Sequence, residues 1–164
     1  MAVSLIDARS SRRNRVLLCR MFPLYAHELS NYTPFFTIDE RGRWNPELSR
    51  DWLVNPHVEP YLIHSDGMPA GFAIVGRHPF QYMSRDRDFK LCEFFILASH
   101  RRRGVGQAAA GQVFDRHRGM WELTILPDNQ RAQMFWRSML GLYTSGRLEE
   151  FQVPGDIVMR FSNG

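Results

Sequence analysis

The stretch from Phe89 to Ser99, FKLCEFFILAS, is a nearly unbroken apolar run, and it leads straight into His100-Arg101-Arg102-Arg103-Gly104-Val105-Gly106-Gln107 and three alanines. An apolar run of this length without alternation is the pattern of a strand covered on both faces, so helices are expected above and below it. The glycine turn then opens a helix whose Ala108, Ala109 and Ala110 let it lie close to the sheet. Strand end, tight turn and helix start converge on one spot, where unpaired backbone N–H groups and the positive end of a helix dipole favour phosphate. Gly104 and Gly106 lack a Cβ, which lets a ligand approach the main chain. The spacing matches neither G-x-x-x-x-G-K-S/T nor G-x-G-x-x-G, which argues against a nucleotide P-loop and a dinucleotide fold.

The remaining chain supplies layers for such a strand. Val3 to Ala8 reads as a first strand, and apolar residues at helical spacing follow from Ser10 or Ser11 as cap, with Pro23 expected to kink or divide that helix. Asn45 and Pro46 predict the cap and first position of a short second helix. Two β-rich runs flank Asp66-Gly67, a hairpin signal. After the polar segment HPFQYMSRDRD and the central strand, Gly104 to Arg118 predicts a helix closed by Gly119. WELTIL reads as a strand, and NQRAQMFWRSML as a helix opened by Asp128 or Asn129 and ended near Gly141. FQVPGDIVMRF closes the chain as a last strand or pair. No repeat or linker interrupts the order, so residues 1–164 are expected to form one α/β domain with a mixed, largely antiparallel sheet.

Charge and cysteine content narrow the classes. The net charge of +4 comes almost wholly from arginine, since Lys90 is the single lysine. Acidic residues are spread through the chain and no basic tail appears, so a localised anion site fits better than a nucleic-acid surface. Cys19 and Cys92 lie in apolar segments without metal-type spacing, which predicts buried thiols and no metal. No run is long enough for a membrane span and the N-terminal residues lack a signal-peptide centre, so a cytoplasmic protein with no membrane partner is expected.

Arg101-x-x-Gly104-x-Gly106 after an apolar strand resembles the Arg/Gln-x-x-Gly-x-Gly/Ala pyrophosphate loop of the GCN5-related N-acetyltransferase (GNAT) superfamily. Asn129-x-x-Ala132-x-x-x-Trp136 resembles the family's second motif, Asn-x-x-Ala-x-x-x-Tyr. The resemblance covers residues 70 to 143 well and the order of elements from Val3 onward loosely. It implies a central sheet flanked by helices, with acetyl-CoA in a wedge between two splayed strands. It places the pyrophosphate on Arg101, Arg102, Arg103, Gly104, Val105, Gly106 and Gln107, and pantetheine on the backbone of Phe94, Phe95 and Ile96, with Asn129 and Trp136 also on the cofactor. The family's tyrosine is replaced by Trp136, and one extra residue separates it from Gly141. Indole N–H is a donor but no usable acid, so any proton for the leaving thiolate must come from elsewhere.

The implied reaction, amine attack on a thioester, needs a base and donors for the oxyanion. Glu93 interrupts an apolar run expected to be buried, where desolvation raises a carboxyl pKa into a useful range, and it is the first candidate base. An ion-paired residue at a frayed strand start is its plain alternative. Strand alternation sets Glu93 with Phe95 and Leu97, opposite Cys92, Phe94 and Ile96. Glu122 is the second candidate, with a solvent-facing strand residue as its alternative. Tyr82, Tyr143 and His100 are weaker candidates. The amine acceptor is expected to be a small molecule or protein, with Tyr32, Phe35, Phe36, Phe80 and Tyr82 as candidates for an aromatic wall and Glu149 and Glu150 as candidate cation attractors. A homodimer stays open. Two other readings stay open as well: a silent acyl-CoA-binding regulatory domain, suggested by Trp136, and a nucleic-acid-binding module, suggested by Arg12, Arg13, Arg15 and the triple arginine.

Overall fold

In the computed structural model, which describes residues 1–164, the chain runs β1 (Val3–Asp7), α1 (Arg12–Leu29), α2 (Pro46–Val54), β2 (Val58–Ser65), β3 (Met68–Arg77) and β4 (Phe89–Ile96). It continues through α3 (Val105–Arg116), β5 (Met120–Ile125), α4 (Gln130–Tyr143), β6 (Glu149–Val153) and β7 (Asp156–Ser162). One seven-stranded sheet has the order β1-β2-β3-β4-β5-β7-β6, so the apolar run is its central strand. Only β4 and β5 pair in parallel, because α3 supplies the crossover that a parallel pair needs. All other neighbours are antiparallel.

Each face of the sheet has its own core. Under α3 and α4, Val113, Phe114, Trp121, Leu140 and Met159 pack together. Under α1 and α2, Leu18, Phe22, Trp52, Phe72 and Phe95 do the same. This double covering explains the lack of alternation in β3 and β4. No helix is long and apolar enough to cross a membrane.

Local signals held in most places and failed in instructive ones. Asp66 and Gly67 turn the β2–β3 hairpin with φ of 50° and 79°, and Ser11 caps α1 by accepting the Asn14 N–H. Pro23 neither divides nor ends α1, which continues to Leu29. The packing of Phe22, Tyr25 and Ala26 on the sheet offsets the one backbone bond a proline removes. Asn45 occupies the N-cap position of α2, as expected, but its side chain makes no cap bond: it accepts the Thr37 N–H at 3.0 Å and donates to the Phe35 carbonyl at 3.3 Å, tying down the loop before it. α4 runs through Gly141 to Tyr143 and is capped by Thr144.

Candidate active site

β4 and β5 separate. They pair only from Phe89–Leu91 to Trp121–Leu123; beyond that β5 continues beside β7 while β4 stays with β3 to Ile96. The divergence begins at a bulge, where the β3–β4 register slips between Ile74 and Val75, leaving Cys92 as the extra residue. A bulge sharpens twist and bends its strand. The expected alternation holds for Glu93, Phe95 and Leu97 on one side and Phe94 and Ile96 on the other, and fails at Cys92, which packs with the α1-side core, the same side as Glu93. The gap forms a cleft of about 340 Å³ reaching through the sheet. On its α4 side lie Phe94, Leu123, Ile125, Asn129, Ala132 and Trp136, and on its α1 side Tyr25, Leu29, Thr33, Phe35, Phe36 and Glu93. Asp156 and Thr124 also line it, turned to the α1 face by alternation from Ile157, Leu123 and Ile125.

At the end of β4 a short 3-10 turn, Ala98–His100, leads into the glycine loop. Arg102 and Gly104 adopt φ of 58° and 77°, which swings the chain into α3. The backbone N–H groups from Arg102 through Gln107 donate to no protein acceptor, and the next amide, Ala108, bonds the Gly104 carbonyl. This is an anion cradle at a helix N-terminus, with Arg102 and Arg103 exposed beside it. Gly106 has a more specific role than openness: a Cβ there would lie 3.2 Å from the Phe135 ring on α4. Arg101 departs from its expected task. Its guanidinium turns inward, donating to the Ile96 carbonyl at 2.7 Å and to Glu28 of α1 at 2.5 Å, and lies 5.7 Å from the Phe95 ring. It ties the strand end to α1. The Phe95 side chain packs into the α1-side core and its carbonyl lies against Gly71 of β3, so neither its side chain nor its backbone faces the gap; Phe94 and Ile96, alternating with it, turn their backbone N–H groups to the open edge.

Glu93 occupies the α1 side of the cleft, where it accepts a hydrogen bond from the buried Tyr25 phenol. Burial pushes its carboxyl up to about 7, against the Tyr25 hydrogen bond and the Lys90 charge, which both pull it down. Burial first, then the Glu93 charge, drives Tyr25 well above the usual phenol value. Tyr25 therefore stays protonated and acts as a donor. Nothing in the sequence pairs these residues, which lie on elements separated by a helix and two strands.

Glu122 is not solvent-facing. It is 4% exposed, accepts the Ser84 N–H at 2.8 Å and sits 3.5 Å from Arg160. Its carboxylate clamps the β3–β4 connection to the sheet and does not line the cleft. Asn129 lines the cleft and also caps α4, accepting the Ala132 N–H at 3.1 Å. Trp136 is buried, with its ring edge-on to Phe94 at 5.2 Å. Tyr143 donates to Asp115 and accepts from Asn163, away from the cleft. Phe80 is a core residue, Tyr82 is exposed outside the cleft, and Glu150 is held by Arg137 through contacts of 2.6 to 3.1 Å. Neither Glu149 nor Tyr32 lines the cleft. Tyr25, Thr124 and Asp156 are among the polar cleft residues that the sequence did not single out.

Residues 23–142 match the sequence profile of the Acetyltransferase (GNAT) family. No curated protein sequence matches the chain. An acetyltransferase from Thermus thermophilus superposes with a TM-score of 0.67 at 18% identity, covering 99% of this chain and 97% of that one. A histone acetyltransferase HPA2 and related acetyltransferase from Corynebacterium glutamicum gives 0.71 at 12% identity, over 98% and 96%. The PaiA N-acetyltransferase of Thermoplasma acidophilum, solved in complex with coenzyme A, gives 0.63 at 11% identity, over 99% of each chain. These likenesses show the fold, and the profile covers most of the chain: the protein belongs to the acetyltransferase (GNAT) family.

Proposed function

We propose that the protein is an N-acetyltransferase that uses acetyl-CoA to acetylate a primary amine, with Glu93 as the general base. The observation that carries this reading is the position of the Glu93 carboxyl: it stands where the two strands part, between the Phe94–Trp136 side and the aromatic α1 side, with a pKa of about 7. A base with that value is half ionised near neutrality and still basic enough to accept an ammonium proton, directly or through one water.

The residues fit the cofactor. The free amides from Arg102 to Gln107 suit a pyrophosphate, and the edge of β4 beyond Leu91, with no strand on its β5 side, offers backbone groups to pantetheine amides. Bound acetyl-CoA supplies an acyl carbon on a thioester, whose carbon–sulfur bond breaks as the amine nitrogen bonds to that carbon. Glu93 takes the amine's proton, Tyr25 holds the Glu93 carboxylate in place, and the backbone N–H groups of Phe94 and Ile96, on the edge of β4 turned away from β3, are the donors for the developing oxyanion. Trp136 donates no proton, so the departing sulfur takes its proton from solvent or from another residue. Thiol release from acetyl-CoA with a panel of amines, followed by mass analysis of the acetylated product, tests the reading.

Trp136 at the family's tyrosine position favours one second reading, an acyl-CoA-binding domain without turnover. Tight CoA binding with no thiol release from any amine supports it.

A further inference from the structure

Resting on the acetyl-transfer reading, we infer that the acceptor is a small monoamine carried on an aromatic or branched apolar body, held between Phe35 and Asp156, and not a polycation.

On the α1 face the cleft continues past Glu93 to the loop after α1. Phe36 is buried there and meets Tyr25 edge-on at 5.7 Å. Phe35 stands edge-on to Phe36 at 5.1 Å yet is 60% exposed at the mouth of the cleft. This exposure is not slackness in the loop. Asn45 holds the Phe35 carbonyl and the Thr37 N–H, and Asp39 closes the loop's tip through the Arg43 N–H and guanidinium. A fixed aromatic ring left open at a cleft rim is a surface for an apolar ligand group.

The charge at the site is equally restricted. Asp156, half-buried at the start of β7, lines the cleft and has neither an ion pair nor a side-chain hydrogen bond. Asp156 and Glu93 are the only acids lining the cleft, and Glu28, Glu122 and Glu150, which do not line it, are paired with Arg101, Arg160 and Arg137. Glu93 must lose and regain a proton during turnover. One fixed carboxylate therefore remains for one ammonium, in a protein whose net charge of +4 disfavours highly cationic ligands at long range. Of 17 lining residues 12 are hydrophobic, which suits an apolar body better than a sugar or a polyamine. The volume of about 340 Å³ also has to admit the acyl end of the cofactor, which suits a small acceptor.

The test uses 2-phenylethylamine, spermidine, kanamycin and a short peptide with a free N-terminus and one lysine, each with acetyl-CoA and the full chain. Phenylethylamine is expected to show a kcat/KM about 10-fold or more above the other three. Phe35→Ala and Asp156→Asn are each expected to raise its KM by about 10-fold with a smaller change in kcat. Calorimetric titration of phenylethylamine into the CoA-saturated protein gives a readout independent of turnover, with binding weakened in both variants. Faster turnover of spermidine, kanamycin or the peptide overturns the inference and leaves acetyl transfer standing, as does a KM unmoved by either substitution. If no amine releases thiol although CoA binds, the acetyl-transfer reading fails. The titration then still decides the pocket: absent binding, or binding equal in wild type and both variants, overturns the inference.

Discussion

The phenol of Tyr25, on α1, donates its hydrogen to the carboxylate of Glu93, on β4, at the point where β4 leaves β5. The bond joins a helix to the opened edge of the sheet and pulls against the burial that raises the Glu93 pKa. The charged and titratable groups acting on this pair are Lys90 and Cys92 on β4 and Glu28 on α1.

The first prediction is kinetic. The pH profile of kcat/KM should fall on the acid side with a midpoint near 7. Glu93→Gln should lower kcat by about 10²-fold or more and erase that limb, with CoA affinity nearly unchanged. Tyr25→Phe removes a group that lowers the Glu93 pKa, so its limb should move to higher pH. An acid limb that persists in Glu93→Gln would take the base role from Glu93.

A stability measurement follows from the same shift. The folded value of about 7 lies above the ordinary 4.5, so the folded protein binds this proton more tightly than the unfolded chain does. That stabilisation is complete below pH 4.5 and is lost as pH rises through 7. Denaturant titrations should show the wild type losing up to about 3 kcal/mol across this window relative to Glu93→Gln, whose curve lacks the slope. Parallel curves for the two proteins would mean the carboxyl is not desolvated.

Glu122 should behave as a structural residue. Glu122→Gln weakens a buried acceptor of the Ser84 N–H and the pairing with Arg160, and should cost about 1–3 kcal/mol. The kinetic acid limb should stay where it is in the wild type. Loss of that limb in this variant, with stability unchanged, would reverse the assignment.

For the anion cradle, Gly106→Val drives a side chain against Phe135, and Gly104→Val forces a β-branched residue to a φ of 77°. Both should weaken CoA binding by about 10-fold or more in calorimetry, since the amides from Arg102 to Gln107 lose their common aim. Folded variants with wild-type affinity would place the pyrophosphate elsewhere.

Trp136 should act through binding. Because it packs on Phe94 and donates no proton, Trp136→Phe should raise the KM for acetyl-CoA more than it lowers kcat, and Trp136→Tyr should be tolerated. A large gain in kcat for the tyrosine variant would show that the natural protein lacks an acid it is able to use, which favours the CoA-binding reading.

Much of the site was legible locally. The glycine loop, the apolar strand before it, the Asp66-Gly67 turn and the Asn129 cap each depend on residues close together in the chain, where backbone conformation and side-chain chemistry act directly. Glu93 stood out because a carboxylate in an apolar run has few inexpensive explanations.

The sequence by itself therefore determined the order of strands and helices, the double covering of β4 and the turn that leaves the amides from Arg102 to Gln107 free. Tertiary structure decided what those residues face. The bulge at Cys92 turned two neighbouring residues to one side, which the regular period of a strand does not anticipate. The inward turn of Arg101 toward Glu28, the clamp of Glu122 on Ser84 and the meeting of Glu93 with Tyr25 and Asp156 around one cleft join residues distant in the chain. Such contacts arise only when separate helices and strands are packed together, and no local spacing encodes them.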